Sequence, residues 1–311
     1  MALRRGVKSH QLPHATTGLT RTQMFELNEP IMTWFVLALL ASLIFAVVNI
    51  IDDNLVAHVY PDSGFAMIIS GLFSIVPIML TLAFPIYLYN IKMVTIGVAL
   101  LGGMLFQTSL LFYFESFKHE KPSVVIALLS LAPAFVPFIA YLFVDERLYV
   151  TQYLGLGVVL LASIAITTTS FRRIGRSPVL GLMLLTAATL AVSLVLQKYA
   201  YNKADFWTCF VVYSGGIVLA SLSKLVFSKS GRCFIGQLRK SWNSALLFAA
   251  VAETLSLLAY FVHGMAISRG PVSLVAVLSA VQPIYVLLIG ILLFPFWPKF
   301  FREQLDQSMF R

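Results

Sequence analysis

The stretch LLSLAPAFVPFIAYLFVDERL, residues 128–148, places two prolines inside an apolar run that otherwise reads as a membrane span. Proline lacks a backbone N–H and clashes with the preceding turn, so it leaves one carbonyl group without its helical partner. In lipid, that carbonyl needs a partner from the protein or from water in a cavity. The stretch therefore predicts a membrane span whose proline region faces other helices or a wet cavity.

The composition of the whole chain agrees with a membrane location. Of its 311 residues, 59% are hydrophobic and only 11% are charged, which is typical of membrane proteins. Apolar runs long enough to cross a bilayer fall near 31–51, 64–84, 93–114, 122–144, 151–170, 178–200, 206–227, 244–266 and 271–296. The sequence thus predicts an all-α integral membrane protein with nine spans, located in the cell membrane as a multi-pass protein.

Most of the charged residues lie outside these runs. The formal net charge of +9 comes from 22 Lys and Arg against 13 Asp and Glu, and the basic residues cluster in short loops and in the polar amino-terminal tail, 1–30. This pattern indicates membrane-surface charge and no nucleic-acid partner. The longest connections, 1–29 and 228–243, are too short for a folded soluble domain.

The chain contains an internal repeat. A shift of 150 places Leu128 on Leu278, Pro133 on Pro283 and Val136 on Val286 without a gap, and a shift of 147 places SLLFYF at 109–114 on SLLAYF at 256–261. Residues 31–170 and 178–311 are interpreted as two copies of one five-helix unit, joined by a basic linker at 171–177. Because five is odd, the copies enter the membrane in opposite directions, as in many secondary transporters.

The second copy is expected to lack its fifth helix. In the first copy, ERL at 146–148 leads into an apolar run, whereas the matching EQL at 303–305 leads only into DQSMFR. A truncated gene model, a fragment and a genuine nine-helix variant all remain open at this point.

These segments resemble the EamA-like branch of the drug/metabolite transporter superfamily. The strongest likeness is PSVVIALLSLAPAFVPFIAYLFVDERLYVTQYLGLGVVLLASIAI at 122–166, and the second copy is similar at GPVSLVAVLSAVQPIYVLLIGILLF, 270–294. The resemblance implies ten helices in two inverted repeats, a central substrate cavity and transport by alternating access. This chain departs from the family pattern in lacking helix ten and in carrying FPFWPKF at 294–300.

The resemblance also implies a cytoplasmic amino terminus. The positive-inside rule agrees for the first copy, where Arg4, Arg5 and Lys92 would lie inside. In the second copy the rule points the other way, because the basic segments 171–177 and 228–243 would lie outside. The amino terminus is interpreted as cytoplasmic, with this conflict left open.

Pro133 and Pro283 are expected to kink their spans at matching points near mid-membrane. Paired interruptions in two repeats are a pointer to a central binding site. The alternative is a pair of ordinary kinks that shape helix packing and have no part in transport.

Glu253 is the one acidic residue clearly inside a predicted span, and such carboxylates are functional hypotheses by default. It could bind a cationic or amine-bearing substrate, carry a coupling proton, or serve as a hydrogen-bonded structural group. The other acidic residues are assigned to helix ends: Asp52 and Asp53 to a solvated end of the first helix, and Asp145 and Glu146 to the start of the fifth, where the helix dipole favours them.

Further candidates for the substrate or coupling site are the sparse polar and tyrosine side chains of the spans: Asn49, Gln107, Tyr113, Lys198, Tyr260, His263 and Gln282. Gln282 is the most persuasive amide, because Ala132 takes its place in the other repeat. Each amide could equally form an interhelical hydrogen bond, worth about 1 kcal/mol, and the tyrosines could anchor the membrane interface. An inward-reaching Lys198 keeps an anionic substrate open.

The sequence shows no nucleotide-binding loop, metal-ligand cluster or cofactor fingerprint, so no cofactor or metal is expected and ATP-driven pumping by this chain is excluded. The prediction is a secondary transporter, not an enzyme, that moves amino acids, amines or amphipathic metabolites across the lipid bilayer. A coupling proton and a homodimer are left open. The alternatives are a non-transporting membrane partner or degenerate paralogue, and an integral membrane enzyme that acts on lipid-linked substrates.

Overall fold

A computed structural model describes residues 21–60, 62–84, 88–120, 125, 128–129, 131–158, 161, 178–240 and 244–293. Within these ranges the chain is helical and contains no β-strand. The helices are α1 (Arg21–His58), α2 (Ser63–Phe73), α3 (Val76–Ala83), α4 (Met93–Ser116), α5 (Ala132–Val144), α6 (Pro178–Tyr201), α7 (Phe206–Phe227), α8 (Lys229–Lys240), α9 (Ser244–Arg269), α10 (Val272–Ser279) and α11 (Gln282–Leu293). A further short helical segment covers 150–158.

Seven segments of the described chain are long and apolar enough to cross a membrane. They are Thr33–Val56, Ser63–Ala83, Met93–Ser116, Pro178–Tyr201, Phe206–Phe227, Leu247–Arg269 and Val272–Leu293. They coincide with seven of the nine predicted runs, which confirms an all-α, multi-pass membrane protein. The other two runs, 122–144 and 151–170, lie partly outside the described residues, so the count of nine and the inverted repeat remain predictions.

Two polar segments are helical where the sequence predicted a tail and a loop. Helix α1 begins at Arg21, inside the predicted tail 1–30, and helix α8 fills most of the connection 228–243. Hydropathy finds only the apolar part of a helix, so it misses a polar extension such as 21–30 and an amphipathic helix such as α8.

Two of the seven spans consist of two helices each, and a third predicted run, 122–144, contains the start of a helix. Helices α2 and α3 meet at Ser74 and Ile75, α10 and α11 meet at Ala280 and Val281, and α5 begins directly after Leu131. The breaks at Leu131 and Val281 have the same backbone hydrogen bonds: Leu131 to Leu128 and Ala134 to Leu131 in one, Val281 to Leu278 and Ile284 to Val281 in the other. The shift of 150 found in the sequence therefore also describes the local backbone.

The prolines lie at the starts of new helices. Pro133 and Pro283 are each the second residue of their helix, α5 and α11, and Pro77 has the same place in α3. Proline is tolerated in the first turn because the N–H it lacks would have no helical partner there. Each proline thus fixes the point at which a span is interrupted.

Helix α4 packs closely against both α6 and α7. At its crossing with α7, a Cβ placed on Gly103 would lie 2.0 Å from the carbonyl oxygen of Tyr213, and one placed on Gly216 would lie 2.1 Å from that of Leu100. The two glycines let the backbones touch, as small residues do in membrane helices.

Two apolar clusters occupy opposite ends of the bundle. We call one the aromatic end, because its buried residues include Tyr60, Phe65, Tyr113, Phe114 and Phe234. We call the other the clamp end; its cluster is rich in alanine, from Ala38 and Ala99 to Ala266 and Ala276. The polar contacts that give the clamp end its name are described below.

Candidate functional site

A cavity of about 130 Å³ lies between the two apolar clusters. Its wall includes Tyr113 from the aromatic end and Leu194 and Ala276 from the clamp end. About 10–15 Å³ suffices for one water, so this cavity has room for several waters or a small organic molecule. The polar residues in its wall are Asn49, Asp52, Ser109, Tyr113, Thr186, Tyr260, His263, Ser279 and Gln282.

Both proline-marked helix starts form part of the cavity wall. Ala132 and Pro133 contribute from one break, and Ala280, Gln282 and Pro283 contribute from the other. Interrupted backbone is tolerated at membrane depth where it lines a cavity or is buried in protein. This position answers the question raised by the prolines: their spans are broken where the cavity lies.

Asn49 and Gln282 connect the first helix to the second break. The Asn49 side chain donates a hydrogen bond of 3.3 Å to Oε1 of Gln282. Since both residues line the cavity, this bond joins α1 to the start of α11 at the cavity surface.

His263 makes a second connection across the same break. Its Nε2 lies 3.1 Å from Oγ of Ser279, and that hydroxyl donates to the carbonyl of Val275 at 3.2 Å. The hydroxyl of Ser279 therefore links the imidazole of His263 to the backbone of α10, and the tautomer of His263 decides which of the two side chains donates.

Aromatic rings cover one side of the cavity. The Tyr260 ring lies 5.1 Å from Phe45 and 4.8 Å from Phe106, and Phe45 also contacts His263 at 6.0 Å. Tyr260 and Tyr113 both line the cavity, so the structure places the two repeat-related tyrosines inside the protein. Anchoring at the membrane interface, the alternative for this pair, does not describe their position.

Asp52 and Glu253 face each other across α1 and α9. These helices are antiparallel, because Trp34 packs on Gly270 at one end while Phe45 packs on Tyr260 further along. Asp52 and Glu253 each lie seven residues beyond that ring contact, toward the aromatic end. Seven residues are about two helical turns, so both acids return to the facing sides of their helices.

The two acids are buried. Asp52 is 8% exposed and lines the cavity, whereas Glu253 is 4% exposed and does not form part of the cavity wall. The expectation that Asp52 is a solvated helix end is therefore wrong: α1 continues to His58, so Asp52 lies two turns before its end, within the span Thr33–Val56.

Tyr60 approaches the acid pair from the connection after α1. Burial raises the pKa of its phenol well above the usual value, and the negative charges of Glu253 and Asp52 raise it further. The hydroxyl has no hydrogen-bond partner among the described residues. Tyr60 therefore keeps its proton and adds a buried donor beside the two carboxyls.

Gln107 is placed away from the cavity. Its amide nitrogen donates to the carbonyl of Met67 at 2.6 Å and to the hydroxyl of Ser70 at 3.1 Å. The side chain is fully buried between α4 and α2. These contacts support the interhelical hydrogen bond that was its alternative interpretation.

Lys198 holds the end of α9. Its ammonium donates to the carbonyls of Ile267 and Gly270, each at 2.9 Å, so it neither points into the cavity nor lines it. The carbonyls at a helix C-terminus favour a cation. The sequence could not reveal this contact, because the partners lie 69 and 72 residues away.

Glu146 holds the start of α10, the next helix along. Its carboxylate accepts from the backbone N–H groups of Val272 and Ser273 at 2.8 and 2.9 Å. The expectation that Glu146 opens the fifth helix is thus wrong, since it caps a helix of the other copy. Glu146 and Lys198 thus both hydrogen-bond to backbone groups around the α9–α10 connection, and we call this arrangement the clamp.

No three His, Cys, Asp or Glu residues of the described segments come together as a metal site. The fold and cavity define a class: a multi-pass helical membrane protein with a central polar cavity at broken helices. Residues 32–168 match the model of the EamA-like transporter family, which confirms the resemblance over nearly all of the first predicted copy. The match indicates a membrane transporter of the drug/metabolite transporter type. No curated protein matches the chain.

Proposed function

We propose that the protein is a secondary transporter that moves small amine-bearing organic solutes, such as amines or amino acids, across the cell membrane. The observation that carries this proposal is the cavity itself: it lies between two apolar clusters, at two helix breaks, beside a buried pair of carboxyls. Central sites at paired helix breaks are a recurring feature of transporters.

The charge around the cavity supports a cationic group on the substrate. Asp52 lies in the wall, Glu253 lies on the side of α9 that faces it, and no Lys or Arg is present among the described wall residues. Lys198, the residue that left an anionic substrate possible, donates to backbone carbonyls at the clamp. Tyr260 also lines the cavity, and aromatic faces attract cations.

The acid pair supplies a means of coupling. Two carboxylates held close together inside a protein repel each other, and one positive charge relieves that repulsion. Either a proton or the substrate ammonium can provide this charge. Competition between them for Asp52 and Glu253 would exchange protons for substrate, which makes the coupling proton part of the proposal.

Alternating access requires that each apolar cluster opens in turn. When the aromatic end separates, the cavity would meet one side of the membrane, and when the clamp end separates, it would meet the other. The two copies would move against each other as inverted repeats, as in other secondary transporters.

The test uses purified full-length chain in liposomes with an imposed pH gradient, and it follows the uptake of labelled amines and amino acids. Asp52→Asn removes a charged hydrogen-bond acceptor from the cavity wall, so we expect the KM to rise about 10- to 100-fold. Glu253→Gln should abolish the response to the pH gradient while exchange of substrate for substrate continues. Glu120→Gln, in a loop outside the cavity, is the matched control.

Three results would change the proposal. Gradient-driven uptake by Glu253→Gln would reassign Glu253 to a structural role. Uptake of anions alone would overturn the charge argument. No uptake of any solute by the unaltered chain would favour the alternative of a non-transporting membrane partner.

A further inference from the structure

Helix α8 is amphipathic. At about 100° per residue, its apolar residues fall on one side and its basic residues on the other. The apolar side contains Gly231 and Phe234, and the basic side contains Lys229 and Arg232. Helices of this kind, basic on one face and apolar on the other, lie in the plane of a membrane surface.

The position of α8 fixes it at the membrane surface. Only Ser228 separates it from α7, whose last residues, Val226 and Phe227, are 69% and 88% exposed. Exposed apolar residues at the end of a membrane span face lipid tails. Since α8 starts two residues later, it lies at the level of the lipid headgroups.

The apolar side of α8 is already occupied by protein. The Phe234 ring lies 5.2 Å from that of Phe65, and Phe234 is 6% exposed. Gly231 packs so closely on α7 that an added Cβ would lie 1.8 Å from the carbonyl oxygen of Leu225. These contacts hold the helix in one orientation, with its basic side turned away from the bundle.

The basic side has no acidic partner in the part of the chain that the structure describes. Lys229 and Arg232 are exposed, and neither forms an ion pair with a described residue. The segment 228–243 contains four Lys or Arg residues and no Asp or Glu. The positive charge is therefore available for an external anion at headgroup depth.

We propose that α8 binds the phosphate groups of anionic phospholipids. The proposal concerns the end of the bundle that carries α8, whichever side of the membrane that end faces. Because Phe234 packs on Phe65, a lipid held by α8 also stabilises the aromatic end. Lipid composition would then change how readily that end opens.

The test measures lipid selectivity of the full-length chain in phosphatidylcholine vesicles by electron spin resonance. A trace of spin-labelled phosphatidylglycerol or spin-labelled phosphatidylcholine reports the fraction of lipid that the protein immobilises. We expect selectivity for phosphatidylglycerol that falls as salt is raised. Each basic residue near the surface adds about fivefold in affinity for anionic lipid, so Lys229→Gln with Arg232→Gln should remove most of the selectivity.

Two controls separate charge from folding. Lys92→Gln with Lys203→Gln removes the same charge from exposed residues at the clamp end, and this variant should keep the selectivity. Arg232→Lys keeps the charge of α8 and should also keep the lipid selectivity. Equal immobilisation of the two lipids by the unaltered chain would overturn the proposal. Selectivity that survives Lys229→Gln with Arg232→Gln would also overturn it. So would an equal loss of selectivity in the clamp-end control.

Discussion

The two ends of the cavity are closed in different ways. At the clamp end, Glu146 and Lys198 bond to backbone groups on either side of Gly270, above a cluster rich in alanine. At the aromatic end, rings such as Phe65 and Phe234 meet through side-chain contacts. Hydrogen bonds to fixed backbone groups require one geometry, whereas aromatic pairs accept a range of angles. The difference predicts that, in the proposed transport cycle, the clamp end opens as a unit and the aromatic end yields by rearrangement of its rings.

The largest effect is expected from Glu146→Gln. The amide keeps one acceptor oxygen and loses the negative charge, so one of the two N–H bonds to Val272 and Ser273 is lost. We expect the free energy of unfolding to fall by about 2 kcal/mol, measured by titration with a denaturing detergent. Asp145→Asn is the matched control, because Asp145 pairs only with exposed Arg147 and such pairs contribute little.

A double-mutant cycle sharpens this prediction. Lys198→Met alone removes the donor to Ile267 and Gly270, and the double variant with Glu146→Gln tests whether the two side chains act on one connection. We expect a coupling energy of about 0.5–1 kcal/mol. Strict additivity would show that the clamp is two independent caps.

A smaller effect is expected from Phe65→Leu at the aromatic end. Leucine keeps the apolar character but loses the ring contacts with Tyr60 at 5.7 Å and Phe234 at 5.2 Å. The free energy of unfolding should fall by about 1 kcal/mol. Phe138→Leu, at a ring that is 73% exposed, should change it less. A loss at Phe65 equal to that at Glu146 would remove the distinction between the two ends.

The smallest effect is expected from Lys118→Met. Lys118 pairs with Glu115 at 2.7 Å, but the two side chains are 42% and 33% exposed. An exposed pair of this kind contributes at most about 0.5 kcal/mol. The free energy of unfolding should therefore fall less in Lys118→Met than in Lys198→Met, measured side by side, because the first lysine is at the surface and the second belongs to the clamp. Equal losses would mean that the aromatic end also depends on fixed polar contacts.

The fold was largely predictable because its main signals are local. Seven apolar runs correspond to seven helical spans, and the matching prolines mark two breaks that meet at the cavity. Asn49, Gln282, His263, Tyr113 and Tyr260 also line that cavity. Their part in substrate binding stays a prediction, since the structure shows where they lie and not what they bind.

The remaining site residues depend on contacts between distant parts of the chain. From the sequence, Lys198 and Gln107 are candidates for the cavity because they are polar residues inside spans. The structure shows that they instead donate hydrogen bonds to the carbonyls of Gly270 and Met67. Asp52 was misjudged because hydropathy does not locate the end of a helix. Its place opposite Glu253 follows from the contact between Phe45 and Tyr260, which lie far apart in the sequence.

Glu146 also constrains how the protein is made. It lies 126 residues before Val272, so during synthesis its carboxylate is complete long before the helix that it caps exists. Until the last described span is inserted, that charge must remain in contact with water or another donor at the membrane surface. The contacts of the first half of the chain are therefore complete only after α10 has been inserted, so the clamp end assembles late in biogenesis.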